Sequence, residues 1–387
     1  MKSEHISDAL QMLPDEILQE TQRVRSRKKR INGIRRKWLA AVAVLVLVVS
    51  GSWLFLQIFT ENDAKELPVL TVSRECRGGD MGSFECFMAY DISEQVNGNP
   101  WTKGADISAL PVYRTPLDLE AYETKGEVYG GDLGRMESVL RDTAVRLGQD
   151  GDTVEIEKRK GLYYLDAYLT TEKDGISIEV GHDLTAHIEF EPPVSIQEEY
   201  HFDYNSSYEE LQTVAEYLKE EYNVLIGMRY PQTNIDGGNY DYDKHQSYQL
   251  EFYDGSGDLV NQIINYNFNG VAFYSSENKL WLMRIFQPDL SQKVGEYPIV
   301  SPNEAEEYLL RGDYVTSVPY EIPGREYVKK VELVYQTQVW EQYYMPYYKF
   351  YVELPEEQED GMKTYGIYYV NALDRQYLSY QDEARFN

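Results

Sequence analysis

The longest uninterrupted apolar stretch of the chain lies near its N-terminus, at residues 39–59. Its 21 residues are mostly aliphatic, and none of them is charged. At about 1.5 Å of rise per residue, a helix of this length spans roughly 31 Å, which matches the hydrocarbon core of a bilayer. The pattern therefore predicts one transmembrane helix.

The charges on either side of this run predict its orientation. Nine lysine and arginine residues lie between residues 23 and 37, whereas Glu61 and Asp63 follow the run. The positive-inside rule places such a basic flank in the cytoplasm. A cleaved signal peptide is disfavoured because the tail is long and no small-residue cleavage site follows the run. We predict a single-pass protein of the cell membrane, with a cytoplasmic N-terminus and an extracellular C-terminal part.

A short amphipathic pattern precedes the basic flank. Residues 4–22 place apolar side chains at helical spacing, and Pro14 suits the first turn of a second short helix. A segment this short cannot bury an apolar face by itself. We therefore predict that it docks on a protein in the membrane or the cytoplasm; binding to the inner leaflet and a merely frayed tail are the alternatives. The candidate partner-binding residues are Ile6, Leu10, Leu13, Ile17 and Leu18.

After the membrane, three stretches have the period of amphipathic helices. The first covers residues 132–147, the second begins at Ser207, and the third lies between Ser301 and Gly312. Ser207 with Glu210, and Ser301 with Glu304, have the spacing of a capping box. We expect Pro302 at the first helical position of the third helix and a left-handed stop at Gly312.

Runs of apolar or alternating residues follow each predicted helix and predict strands. After the third helix, residues 331–339, 347–354 and 365–373 predict an antiparallel meander packed beneath one helix. The earlier predicted strands are TVEIEK, GLYYLDAYLT, GISIEV, SYQLEFYD, LVNQIINY, GVAFYSS and LWLMRIFQ.

These elements predict an α+β fold, in which antiparallel sheets are each flanked by a helix. The predicted organisation has four parts: a cytoplasmic tail at 1–37, a transmembrane helix at 38–59, and two extracytoplasmic α+β domains at 60–200 and 201–387. Within the last of these, residues 301–380 form the helix-plus-meander unit.

Charge restricts the partners of the extracellular part. It holds 27 basic and 60 acidic residues, a formal charge of −33. Such a field repels nucleic acids and anionic polymers. We therefore expect no nucleic-acid partner.

The two cysteines, Cys76 and Cys86, both fall outside the membrane, on either side of a glycine-rich turn. A strand–turn–strand hairpin centred near Met81 would place them side by side. Since the exterior is oxidising, they are disulfide candidates, and two free apolar side chains are the alternative.

Neither a catalytic motif nor a metal-binding pattern is evident. His182 and His187 lie five residues apart, and we expect them to be exposed on separate faces. Asp236 begins an oxygen-rich loop that lacks the glycine and the closing glutamate of a calcium-binding EF-hand. We therefore predict no enzyme activity, no metal and no cofactor.

Several segments carry a resemblance to a known group of proteins. The chain resembles uncharacterised single-pass membrane proteins of Clostridia-type Gram-positive bacteria. Its layout is similar to YycH/YycI-type accessory proteins with PepSY-like units, and this likeness implies restraint of a two-component sensor kinase through membrane-helix contacts. The segments are ISDALQMLPDEILQE, FECFMAYDISEQVNGNPW, YPIVSPNEAEEYLLRGDYVTSVPY, VELVYQTQ, YYMPYYKFYVELP and YGIYYVNALDRQYL.

These observations favour a non-enzymatic regulatory or sensory membrane protein of the cell envelope. Its extracytoplasmic part would bind a ligand or a protein and couple this event to the tail. Two alternatives stay open. One is an anti-sigma-like regulator that acts through the tail, and the other is an anchored cell-wall enzyme or carbohydrate-binding module.

Overall fold

The computed structural model describes ten segments of the chain, all within the compact unit Leu67–Asn387. They are residues 67–72, 86–89, 98–115, 117–118, 129–130, 132–159, 168–240, 246–337, 342–358 and 361–380. The predicted tail helices with their candidate partner-binding residues, the predicted transmembrane segment and Cys76 lie outside these segments. Within them, no helix has the length and apolar character needed to cross a bilayer.

The described segments contain five α-helices and nineteen strands, besides short 3-10 helices and loops. The helices are α1 (Leu133–Arg146), α2 (Tyr208–Glu221), α3 (Asn223–Ile226), α4 (Leu259–Phe268) and α5 (Pro302–Leu310). The strands are β1 (Leu70–Val72), β2 (Cys86–Ala89), β3 (Ala109–Arg114), β4 (Leu117–Asp118), β5 (Tyr129–Gly130), β6 (Glu157–Arg159), β7 (Tyr168–Lys173), β8 (Ile176–Val180), β9 (Ala186–Ser195), β10 (Pro231–Tyr240), β11 (Gln246–Asp254), β12 (Gly270–Ser276), β13 (Lys279–Phe286), β14 (Lys293–Pro298), β15 (Val328–Tyr335), β16 (Tyr343–Tyr344), β17 (Pro346–Glu353), β18 (Lys363–Asn371) and β19 (Leu378–Tyr380).

The largest layer is an eight-stranded antiparallel sheet in the order β10-β11-β12-β13-β9-β8-β7-β6. Along β8, the first part of β9 and the central part of β11, buried apolar side chains alternate with polar ones on the opposite face. Helices α1 and α2 pack on one face and bury an apolar core that includes Leu140, Leu211, Ile188 and Met283. The other face is polar, and it forms the candidate site described below.

A second core lies around the four-stranded sheet β15-β17-β18-β2. Helix α5 packs against β18, and helix α4 bridges the two cores, because it contacts β11 and β12 as well as β15. Leu309, Phe350 and Tyr368 are fully buried there. The predicted meander is confirmed, since its three strands pair in antiparallel order. Two smaller sheets, β14-β3-β16 and the parallel pair β1-β19, flank this region.

The helix boundaries follow from the capping residues. The Ser207 amide nitrogen donates to the Glu210 carboxylate at 2.7 Å, and the Glu210 amide donates back to Ser207 Oγ at 3.3 Å, so this capping box is confirmed. Ser301 caps α5 and Pro302 is its first residue, as predicted. The Glu304 side chain has a different role from the predicted one, because it accepts the Tyr308 hydroxyl at 2.7 Å.

Three other expectations meet different outcomes. The predicted strand LVNQIINY is wrong: it forms helix α4, since Asp258 caps its first turn and its apolar residues recur at helical spacing. The hairpin predicted across the cysteine turn is not tested, because residues 73–85 and 90–97 lie outside the described segments; within them, β1 pairs with β19 and β2 with β18. The boundary predicted between residues 200 and 201 falls within one sheet, since β9 pairs with β13. The mixed α+β class itself is confirmed.

Candidate functional site

A deep cleft of about 710 Å³ opens on the polar face of the eight-stranded sheet. Helix α4 and strand β15 form its opposite wall. Clefts of this volume with a few convergent polar groups are the usual form of small-ligand sites. The lining residues include Tyr168, Glu179, His182, Asp183, Thr185, His187, Asn234, Asp236, Glu251, Tyr266, Asn267, Gly270, Ala272, Arg284, Phe286, Tyr335 and Thr337.

Strand register brings the polar residues of the cleft into one row. The backbone partners across six neighbouring strands share the face opposite the helices, because their neighbours in sequence are buried in the core beneath α1 and α2. Neighbouring strands lie about 4.8 Å apart, so the row presents one side chain per strand at regular intervals. In order from β10 to β8, the row is Asn234, Glu251, Ala272, Arg284, His187 and Glu179.

Two carboxylates occupy the β10–β11 side of the cleft. Asp236 pairs in register with Gln249, so it is the diagonal neighbour of Glu251 on the same face, at a typical Cα separation of about 7–8 Å. Burial raises the pKa of both groups, and the negative charge of Asp236 adds to the effect on Glu251. Asp236 is exposed and Glu251 is partly buried, so the solvent in the cleft reaches both side chains.

The hydrogen-bond partners of Glu251 are neutral. Asn234 Nδ2 donates to its Oε2 at 3.2 Å, and Gln249 Nε2 donates to its Oε1 at 2.7 Å. Arg284 Nη2 lies 4.0 Å from Oε1, which is beyond hydrogen-bond distance. The negative charge of Glu251 is therefore only partly compensated by the side chains around it.

Imidazole and guanidinium groups follow on the other side of Ala272. His187 lies opposite Arg284 in the β9–β13 ladder, and burial lowers the pKa of His187. His182, in the turn before β9, is only 6% exposed, and its Nε2 has no hydrogen-bond partner in the part of the chain that the structure describes. Buried polar atoms are normally paired. An unpaired nitrogen in the wall of a cleft is therefore suited to a ligand.

The two histidines correct an expectation from the sequence. We expected His182 and His187 to be exposed on separate faces, but His182 is buried, His187 is half-buried, and both line the same cleft. In the turn between β8 and β9, Asp183 accepts the Thr185 amide at 3.0 Å and the Thr185 hydroxyl at 2.7 Å. This local turn brings the two imidazoles to one site.

The predicted disulfide is not settled by this geometry. Cys86 lies at the start of β2, opposite Gly366 of β18, and Cys76 lies outside the described segments. The bond remains a prediction. Asp236, the first residue of the oxygen-rich sequence, lies on β10 and lines the cleft.

We predict that Glu251→Gln stabilises the protein at neutral pH. Because the folded-state pKa of Glu251 is raised, the folded protein binds this proton more tightly than the unfolded chain, and stability falls as the pH rises through that pKa. Urea unfolding should show a gain of about 0.5–2 kcal/mol at pH 7.5, as is common for relief of functional-site strain. The gain should shrink at pH 4, where the wild-type group gains its proton.

Glu172→Gln is the matched control, since Glu172 is an exposed residue of β7 in the same sheet and lies outside the cleft lining. It should leave the free energy of unfolding nearly unchanged at both pH values. A Glu251→Gln variant that is less stable than the wild type at pH 7.5 would contradict the assignment of a destabilised carboxylate.

Comparison with known proteins adds no assignment to this geometry. No protein-family model matches the chain, and no curated protein aligns with it significantly.

Proposed function

We propose that the protein is a non-enzymatic membrane sensor whose extracytoplasmic part binds a small polar ligand in the cleft. The observation that carries this proposal is the row of polar side chains, one from each of several strands, which converge on a cavity of about 710 Å³. Carboxyl and imidazole groups with shifted pKa values are concentrated at functional sites more often than elsewhere. Such groups on rigid strands suit recognition of one ligand.

The predicted topology supports a regulatory role for this binding. A single predicted membrane helix at residues 39–59 joins the ligand-binding part to a short cytoplasmic segment with an apolar face. Occupancy of the cleft would bias the interaction of that segment with a protein partner. The likeness to accessory proteins of sensor kinases favours the same arrangement, with a kinase or its regulator as the partner.

The proposal predicts that filling the cleft abolishes ligand binding. Gly270 lies on the floor of the cleft, and a Cβ built there meets only Phe252 O, at 3.9 Å, which is ordinary van der Waals contact. Gly270→Leu should therefore fold and place its side chain in the cavity. A thermal-shift screen of small polar molecules against the full-length protein in a non-ionic detergent should find ligands that raise the wild-type Tm and leave this variant unchanged.

Gly104→Leu is the matched control, because a Cβ at this exposed turn meets no atom within 4 Å. The control should respond to ligands as the wild type does. If every ligand found in the screen stabilises Gly270→Leu as strongly as the wild type, the cleft is not the binding site.

A second candidate function is hydrolysis of a cell-wall glycan. The observation in its favour is the pair of diagonal carboxylates, Asp236 and Glu251, both with raised pKa values. A raised pKa suits a general acid, and a second carboxylate nearby suits a base or nucleophile. Release of reducing ends from peptidoglycan by the wild type, and its loss in Glu251→Gln, would favour this enzyme over the sensor.

A further inference from the structure

The floor of the cleft is formed by two small residues of β12. An acidic side chain lies on one side of this floor and a basic side chain on the other. Gly270 and Ala272 lie two residues apart on the same face of β12, and neither fills the space above the strand. Glu251 of β11 stands on one side, and Arg284 of β13 stands on the other. A ligand lying over β12 would therefore contact the carboxylates of β10 and β11 with one flank.

The formal charge of the lining is strongly negative. Four carboxylates line the cleft, and Arg284 is the single lysine or arginine among the lining residues. The carboxylates are Glu179, Asp183, Asp236 and Glu251. Because burial lowers the pKa of His187, its imidazole adds little positive charge near neutral pH. Carboxylates grouped in a partly desolvated site repel one another, and a bound cation relieves that repulsion.

The surroundings of the acidic pair leave room for an added cation. Arg284 Nη2 is 4.0 Å from Glu251, so their ion pair is loose. Asp236 accepts the neighbouring Gly237 amide at 3.0 Å, and Lys349 and Lys330 attract it from farther away. Donors of a ligand could therefore reach both carboxylates without displacing a close ion pair.

Aromatic rings line the same cavity. Tyr266 of α4 and Tyr335 of β15 lie on the wall opposite the sheet, and Phe286 lies at the end of β13. Aromatic faces attract organic cations and also pack against the methylene groups beside them. A bare metal ion would gain much less from such a wall than an alkylammonium group.

The buried His182 provides an independent indication of a ligand. Its ring lines the cleft, the residue is more than nine-tenths buried, and its Nε2 has no hydrogen-bond partner within the described segments. In the tautomer that carries its proton on Nδ1, an imidazole Nε2 accepts an N–H donor. His182 lies in the β8–β9 turn, about three strand spacings or more from Glu251 on β11. A ligand with several ammonium groups could therefore present one to this nitrogen and another to the carboxylates of β10 and β11.

We infer that the cleft recognises ligands with several alkylammonium groups, one held by Asp236 and Glu251 and another accepted by His182 Nε2 at the β8–β9 end, with the aromatic wall against the methylene chain. The ammonium groups belong either to a free polyamine or to lysine side chains of a peptide. This inference rests on the proposed function, because it specifies the ligand of the same cleft. The acidic field of the extracellular part would attract either source.

The test is calorimetric titration of the full-length protein in a non-ionic detergent at pH 7.5 and 150 mM salt. The probes are spermidine, tetralysine, 1,8-octanediol as a neutral molecule of similar length, and Mg²⁺. We expect saturable 1:1 binding of spermidine or tetralysine and none of the diol or Mg²⁺ at the same concentrations. If spermidine binds more tightly, the ligand is a free polyamine; if tetralysine binds more tightly, it is a peptide. Either result supports an alkylammonium ligand.

The variant Asp236→Asn/Glu251→Gln should weaken ammonium binding at least about 10- to 100-fold, the usual effect of losing charged hydrogen-bond acceptors. The control Glu172→Gln removes one negative charge of the same sheet outside the cleft and should bind as the wild type. Equal binding by the double variant and the wild type would overturn the inference, as would binding of Mg²⁺ or of the diol in preference to the amines.

Failure of this inference is distinguishable from failure of the proposed function. If the amines do not bind but another small molecule does, and Gly270→Leu blocks it, the ligand class is wrong and the sensor proposal stands. If Gly270→Leu does not abolish the binding of any molecule in either experiment, both the alkylammonium inference and the sensor proposal are overturned.

Discussion

Leu309→Asp is expected to unfold the second core of the protein. Leu309 is fully buried in helix α5, in the same cluster as Ala305, Phe350 and Tyr368. Losing the leucine side chain alone costs about 2–5 kcal/mol, and an unpaired carboxylate in an apolar core adds several kcal/mol more. Since whole domains are stable by about 5–15 kcal/mol, this single change removes most of that margin.

Circular dichroism during urea unfolding measures this effect, and Leu310→Asp is the matched control. Leu310 is the next residue of the same helix, but it is only partly buried. The control should keep a cooperative transition with a much smaller loss of stability. If Leu309→Asp unfolds within about 1 kcal/mol of the wild type, helix α5 is not packed on the meander in the way the structure shows.

The ends of the helices could be predicted from the sequence, because they depend on capping residues only a few positions away. The Ser207 cap, the Ser301 cap and the left-handed Gly312 are decided by backbone chemistry within a few residues, so they were predictable. Helix α4 was missed because LVNQIINY is rich in residues that also favour strands. The informative signal was Asp258 directly before it, whose carboxylate accepts the Asn261 amide at 2.9 Å.

The candidate site could not be predicted, because it depends on pairings between distant strands. Glu251, Arg284 and His187 each look like ordinary polar residues on the solvent face of a strand. Their convergence follows from the register of β11, β12, β13 and β9, which brings residues far apart in sequence into one row. The alternation in SYQLEFYD and LWLMRIFQ shows which face each residue takes, but it does not show which strand lies beside it.

The same long-range pairing determines how the unit can be divided. In the sheet, Met283 of β13 pairs with Ile188 of β9, and both side chains are fully buried beneath the helices. A chain cut between residues 200 and 201 would separate these strands and leave β13 as a long, apolar sheet edge. Such edges pair with other chains and aggregate.

We therefore predict that fragments 67–200 and 201–387 do not fold separately, whereas 67–387 folds cooperatively. Each fragment keeps only part of the core that α1 and α2 cover, so it cannot bury enough apolar surface to offset the chain entropy lost on folding. Size-exclusion chromatography and urea unfolding should show aggregated or unfolded material for each fragment alone. Co-expression of the two should restore a soluble complex, because the missing strand and helix are supplied by the other chain. A cooperative, monomeric fragment 201–387 would show instead that residue 200 is a true domain boundary.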